Sequence, residues 1–196
     1  MVNVAIFSSG NGSNAENIAN YFSENSDINV VLIVSNRTNA FVHERAKKLG
    51  IPSVTYNKSD FADGSAILKT LKDYEIDFIV LAGFLLKVPE AILLSYPERI
   101  VNIHPALLPK YGGKGMYGDY VHQAVKEGGE LQSGITIHYV NEHYDEGNII
   151  FQSNCDVLPT DTPEDIANKV HKLEYEHYPK IIEEIIENYF HKNCAN

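Results

Sequence analysis

Val2-Asn3-Val4-Ala5-Ile6-Phe7-Ser8-Ser9-Gly10-Asn11-Gly12-Ser13-Asn14-Ala15 decides the fold. The run Val2 to Ser8 is nearly continuously apolar, which marks a strand buried on both faces. A Gly/Asn/Ser loop follows. Ala15, Ile18, Ala19 and Phe22 then recur at helical spacing, so a helix runs to about Ser23. Three readings of the loop fit. Glycines let the backbone approach an anion, and the unpaired N–H groups of the helix start point at it, so the loop suits a phosphate. Gly10-x-Gly12-x-x-Ala15 also satisfies the dinucleotide pattern, which asks for an acid at the end of the second strand. That end reads Val34-Ser35-Asn36-Arg37, without an acid, although Arg37 suits a 2′-phosphate. The third reading is a plain tight turn with Ser13 or Asn14 as the helix cap.

Outward from this unit, strand-like and helix-like stretches alternate. Strands are expected at Asn29–Val34, Ser53–Tyr56, Phe78–Ala82 and Ile100–Ile103. Helices are expected at Ala40–Leu49, Ser65–Tyr74 and Pro89–Ser95. Short connections between them imply a parallel sheet with right-handed crossovers. Pro109, Gly112, Gly113, Gly115 and Gly118 then form a long loop. A helix at Asp119–Glu127 and strands at Gly134–Val140 and Ile149–Val157 follow, the last two joined by an Asp145-Glu146-Gly147-Asn148 turn that suits an antiparallel pair. Thr162 caps a final helix that opens with Pro163 and runs to about Tyr189. Its broad face carries Ile166, Val170, Leu173, His177, Ile181, Ile182, Ile185 and Ile186.

The chain has 196 residues, which suits one domain, and 44% of them are hydrophobic, enough for a sizeable core. Sixteen Lys and Arg against 26 Asp and Glu give a net charge of −10. That excludes a general attraction to nucleic acid or anionic membranes. Cys155 and Cys194 form no CxxC pair and no zinc pattern, so a reducing cytoplasm fits. The amino terminus reads as a strand and not as a signal peptide, and no run reaches the length of a membrane span.

Asn102-Ile103-His104-Pro105 ends a parallel strand, where ligands bind in open α/β sheets. Residues two apart share a face, so Asn102 and His104 present a carboxamide and an imidazole to one substrate. That pair suits a carbonyl oxygen gaining negative charge. An acid such as Asp145 serves chemistry if it lies near an imidazole, raising its pKa and holding it in place. Sequence spacing alone does not show that it reaches His104. The 112–118 loop lacks the Walker pattern and reads as a lid carrying Lys110 and Lys114 or as a plain exposed loop. His171, Glu174 and His177–Tyr178 share a side of the last helix, as a functional face or as packing. The eight histidines are scattered, so no metal is indicated.

Together these motifs resemble the phosphoribosylglycinamide formyltransferases, folate-dependent enzymes of purine synthesis. The resemblance runs from Val2 to about Ile186. It is most specific at Gly10–Asn14, Leu81-Ala82-Gly83-Phe84, Asn102–Pro105 with Leu107-Leu108-Pro109, and Gly134 to Gly147. It implies an α/β, Rossmann-like open sheet, mostly parallel in the N-terminal half, with an antiparallel pair and a long C-terminal helix. One domain, 1–196, would comprise a phosphate-binding half, 1–103, and a folate and catalytic half, 104–196. Gly12, Ser13 and Asn14 would hold the 5′-phosphate of glycinamide ribonucleotide, and Glu174 its glycinamide end. Asn102 would bond the formyl oxygen of the co-substrate 10-formyltetrahydrofolate. His104 would be the proton donor, with Asp145 raising its pKa. Leu85, Leu86, Lys87 and Val88 would line the pterin pocket, with backbone from Asn141, Glu142, His143 and Tyr144. The chain would act in the cytoplasm on these two small molecules, as a monomer or homodimer.

The chain departs from the family pattern at Leu86, at Ala62-Asp63-Gly64 and at Glu146, and its Gly112–Tyr120 segment is longer. Other enzymes using 10-formyltetrahydrofolate, a deformylase or a sugar-nucleotide formyltransferase, are the nearest rivals. A non-catalytic nucleotide-binding module and an NADP oxidoreductase are the rivals of other classes.

Overall fold

The computed structural model describes residues 1–194, and the side chains of residues 1–190. The side chain of Cys194 therefore lies outside the described residues. One seven-stranded sheet runs in the order β3-β2-β1-β4-β5-β6-β7. Its strands are β1 (Val2–Phe7), β2 (Ile28–Ser35), β3 (Ser53–Thr55), β4 (Phe78–Leu81), β5 (Ile100–His104), β6 (Gln132–Tyr139) and β7 (Ile149–Asp156). The neighbours among β1 to β5 are parallel, whereas β6 is antiparallel to both β5 and β7. The order reverses between β1 and β4. A crevice opens beyond the strand ends at such a reversal.

Alternation along β1 builds two cores. Val4 and Ile6 face one side, with α1 (Ser13–Tyr21), α2 (Val42–Leu49), α6 (Asp119–Glu127) and α7 (Pro163–Cys194). Ala5 and Phe7 face the other, with α3 (Lys58–Asp63), α4 (Ser65–Asp73) and α5 (Glu90–Ser95). The central strands are therefore buried on both faces, as their continuous apolar runs require.

α3 lies where the sequence pattern shows no element. Asn57 accepts from the N–H groups of Ser59 and Asp60, and Asp60 accepts from the Asn57 N–H, a reciprocal cap. α3 is one turn and a half long and buries Phe61 alone, too little for a periodic signal. α7 extends beyond Tyr189 to Cys194. Thr162 caps it as expected, exchanging hydrogen bonds with Asp165. Pro179 lies inside α7 and lacks an N–H, which frees the carbonyl of Tyr175. Asn17 of α1 donates to that carbonyl at 3.0 Å. Tyr178, fully buried, donates from its hydroxyl to Leu81 O at 2.9 Å and fixes α7 beneath the strand reversal.

Candidate active site

A cavity of about 500 Å³ opens at the C-terminal ends of β1, β4 and β5. Four loop and strand-end segments form much of its wall, with side chains from α6, α7 and the β6–β7 connection completing it. The Ser8–Asn14 loop follows β1, Ala82–Leu85 follows β4, Asn102–Pro105 ends β5, and the 113–119 loop closes the far side. The first two are tied together: Ser9 N donates to Gly83 O at 3.0 Å, and Leu85 N donates to Ser9 Oγ at 2.9 Å.

At one end the wall is backbone. Gly12 stands at the N-terminus of α1 with φ of 74°, and no side chain caps the helix, so neither Ser13 nor Asn14 is the cap. The first intrahelical bond is Glu16 N to Gly12 O at 2.9 Å. The N–H groups of Ser13, Asn14 and Ala15 therefore have no intrahelical acceptor. Asn14 Nδ2 donates to Glu174 Oε2 at 2.9 Å, and Asn14 Oδ1 is buried without a partner. Glu174 is 5% exposed and also meets His171 Nδ1 at 2.7 Å. That contact raises the His171 pKa. Of the expected face on α7, His171 and Glu174 line the cavity. His177 and Tyr178 do not: His177 packs on the Phe151 ring, 5.0 Å between centroids, and Tyr178 is core.

The other end is made of side chains. Asn102 and His104 both line the cavity, as their spacing on β5 implies. His104 is 3% exposed. Its Nε2 lies 2.7 Å from Tyr111 O. A carbonyl oxygen only accepts, so Nε2 carries the proton and Nδ1 is the open nitrogen. Nδ1 faces Asp145 Oδ2 at 3.5 Å. Asp145 is thus brought to His104 by the β6–β7 connection, and Gly113 N donates to its Oδ2 at 2.9 Å. Burial lowers the His104 pKa below the ordinary imidazole value, and the Asp145 charge opposes that shift without overcoming it. Asp145 raises the pKa, as the resemblance implies, but desolvation of the imidazolium is larger. For Asp145 burial pushes upward, yet its neighbours, the Gly113 N–H among them, outweigh it and hold the carboxyl below its usual range.

His138 is the partner that sequence reasoning missed. The antiparallel β5–β6 register sets it directly opposite Asn102. His138 Nδ1 meets Tyr139 O at 2.8 Å, so Nδ1 carries the proton and Nε2 accepts from Asn102 Nδ2 at 3.1 Å. That bond orients the carboxamide. The same register sets Thr136 opposite His104, where its Oγ1 accepts from Leu108 N at 3.0 Å and fixes the 105–108 turn. His122 of α6 was also missed. It is 2% exposed, lines the cavity, and has a buried Nδ1 without a partner. A lone histidine on an amphipathic helix gave no signal. Of the expected pterin contacts, Leu85 and Tyr144 line the cavity. Leu86 and Val88 instead pack in the second core, and Lys87 is exposed. Asn141 caps its own turn through His143 N at 2.9 Å, and the exposed Glu142 and His143 pair with each other at 3.7 Å. Among the described residues no group of three His, Cys, Asp or Glu side chains is placed to hold a metal ion.

An amide donor and an imidazole at the end of one strand, with a carboxylate behind them, can stabilise an oxyanion and move a proton. Comparison with known proteins agrees with that chemistry. The model of the formyl transferase family matches residues 2–182. The chain is 43% identical over 190 residues to the chloroplastic phosphoribosylglycinamide formyltransferase of Arabidopsis thaliana, covering 94% of this chain and 65% of that protein. It is 37% identical to the phosphoribosylglycinamide formyltransferase of Bacillus subtilis, covering 95% of each. The chain thus spans less than two thirds of the plant relatives it matches and nearly all of the bacterial one. Among solved structures, the phosphoribosylglycinamide formyltransferase of Streptococcus pneumoniae superposes with a TM-score of 0.84 at 35% identity, over 95% of this chain and 99% of that one. The enzyme of the same name from Bacillus halodurans gives 0.86 at 33%, over 94% and 95%. By its sequence, its sheet order and the placement of these side chains, the chain belongs to the formyl transferase family.

Proposed function

We propose that this chain transfers the formyl group of 10-formyltetrahydrofolate to the amine of 5′-phosphoribosylglycinamide, giving the formylated nucleotide and tetrahydrofolate in purine (IMP) biosynthesis. The observation that carries the reading is one cavity with an anion-ready helix start at one end and the Asn102–His104–Asp145 set at the other. The Gly12–Asn14 backbone takes the 5′-phosphate, and Glu174 with Asn14 takes the donors of the glycinamide end. The pterin enters on the side of Leu85 and Tyr144.

The chemistry follows from the protonation states. His104 is neutral at rest because burial lowers its pKa. The amine nitrogen attacks the formyl carbon, which gives an oxyanion and a positively charged nitrogen. The second Nδ2–H of Asn102 meets the oxyanion. Nδ1 of His104 takes the proton from the nitrogen, and the imidazolium is then stabilised by the oxyanion and by Asp145. The same proton passes to N10 of the folate as the carbon–nitrogen bond breaks. No proton is gained or lost overall.

The chain acts as one formyltransferase domain, in which 1–103 supplies the phosphate end together with Leu85 and Asn102, and 104–196 the other folate and catalytic groups. Its partners are these two small molecules. Cys155 is a free thiol, as a reducing cytoplasm allows. No helix among the described residues is long and apolar enough to cross a membrane. The direct test mixes protein, glycinamide ribonucleotide and 10-formyltetrahydrofolate and follows folate absorbance. Turnover that requires the amine supports the reading. Folate turnover without the amine assigns a deformylase, and no turnover by folded protein rejects both.

A further inference from the structure

The loop Gly10–Gly12 is gripped from behind by α2. Arg45 donates from Nε to the backbone oxygen of Asn11 at 2.9 Å and from Nη2 to Asn11 Oδ1 at 2.8 Å. Its Nη1 pairs with Glu16 of α1. The guanidinium lies over the Phe41 ring, 5.1 Å from the centroid. Val42 N adds a bond to Gly10 O at 3.2 Å. The Arg45 side chain is only 20% exposed, and Arg45 is not part of the cavity wall. It therefore acts on the loop and not on a ligand in the cavity.

Peptide planarity gives this grip a consequence. In a trans peptide the C=O and the following N–H point in opposite directions. The Asn11–Gly12 peptide is trans. With the Asn11 oxygen held by Arg45, the Gly12 N–H is turned away from Arg45, and both Asn11 and Gly12 line the cavity. At φ of 74° Gly12 has wide conformational freedom, so this peptide would flip readily without an anchor.

We propose that Arg45 is a positioning residue for the anion site: its fork on Asn11 sets the peptide that aims the Gly12 N–H at the substrate phosphate. The proposal rests on the phosphate reading of this loop. Glu16 offsets the Arg45 charge locally, so orientation and not attraction is the contribution. A lysine cannot replace it, because a single ammonium does not reproduce two donors in a fixed plane.

The test compares kcat/KM for glycinamide ribonucleotide and for its dephosphorylated nucleoside in wild type, Arg45→Met and Arg45→Lys. Wild type should prefer the phosphorylated substrate. In Arg45→Met that preference should fall about tenfold or more, through KM and not kcat, as expected for losing a hydrogen bond to a charged group. Arg45→Lys should share the defect while melting as wild type does, which separates orientation from folding and from charge. A wild type indifferent to the phosphate overturns the phosphate reading itself. A wild-type preference that survives intact in Arg45→Met overturns the Arg45 proposal alone. Full rescue by Arg45→Lys, or equal losses on both substrates, also overturns it.

Discussion

The two ends of the cavity are built from different materials. At Gly12–Asn14 the ligand-facing groups are backbone N–H groups at the positive end of α1, which carry no titratable proton. At the other end they are buried side chains, and His104 and His138 are 3% and 2% exposed. Backbone donors do not titrate, so they can hold an anion even in a chain of net charge −10. A buried imidazole is tuned by every neighbour, since burial and nearby charge each shift its pKa. One end is thus suited to holding a constant group and the other to a proton that must move. Substitutions at the two ends should therefore act on different kinetic constants.

The largest effects belong to the side-chain end. His104→Ala and Asp145→Ala should each lower kcat by about 10²–10³-fold, the usual loss for one group acting on the transition state. Thermal melting should stay near wild type, and wild-type turnover in either variant would remove its role. The pH behaviour sharpens the same point. The Asp145 charge raises the His104 pKa against burial. Asp145→Asn removes that charge, so the NMR titration midpoint of His104 should move further below the ordinary imidazole value. An upward movement would contradict the electrostatic account.

The backbone end should show a KM effect. A Cβ at Gly12 would overlap the Val42 side chain, and φ is 74°, so Gly12→Ala forces the loop to move. KM for the phosphorylated substrate should rise about 10–100-fold with a much smaller change in kcat. An equal fall in kcat would show that the two ends are one unit. His138→Phe should lower kcat about tenfold, because Asn102 loses the acceptor that orients it. The smallest effect is expected at Glu187, which is exposed on α7. Glu187→Lys should change KM by less than about twofold, since exposed charges are screened at ordinary ionic strength. Equal KM effects at Glu187 and Gly12 would mean that overall charge governs binding.

What was legible in the sequence follows the same division. The strand–loop–helix start and the Asn102–His104 pair were readable because each depends on neighbours in sequence: glycines before a helix, and two residues on one strand face. Asp145 was readable as a candidate, but its meeting with His104 depends on the β6–β7 connection crossing to β5. His138 and Thr136 were silent because the antiparallel register alone aligns them with Asn102 and His104. Arg45 carries no signal in the sequence, because only the packing of α2 on the loop gives it a partner. The net direction of the His104 pKa was not legible, because sequence shows the compensating acid and not the depth of burial. The pterin residues Leu86, Lys87 and Val88 were assigned as a block, although the turn after β4 sends Leu85 to the cavity and Val88 to the core behind the sheet.

The most direct test follows a labelled formyl carbon. With 10-formyltetrahydrofolate labelled at that carbon and glycinamide ribonucleotide present, the account predicts label on the amine of the nucleotide, one for one with tetrahydrofolate formed, and that transfer slowed about 10²–10³-fold in His104→Ala. Label released as free formate, or transfer at the wild-type rate in His104→Ala, would contradict it.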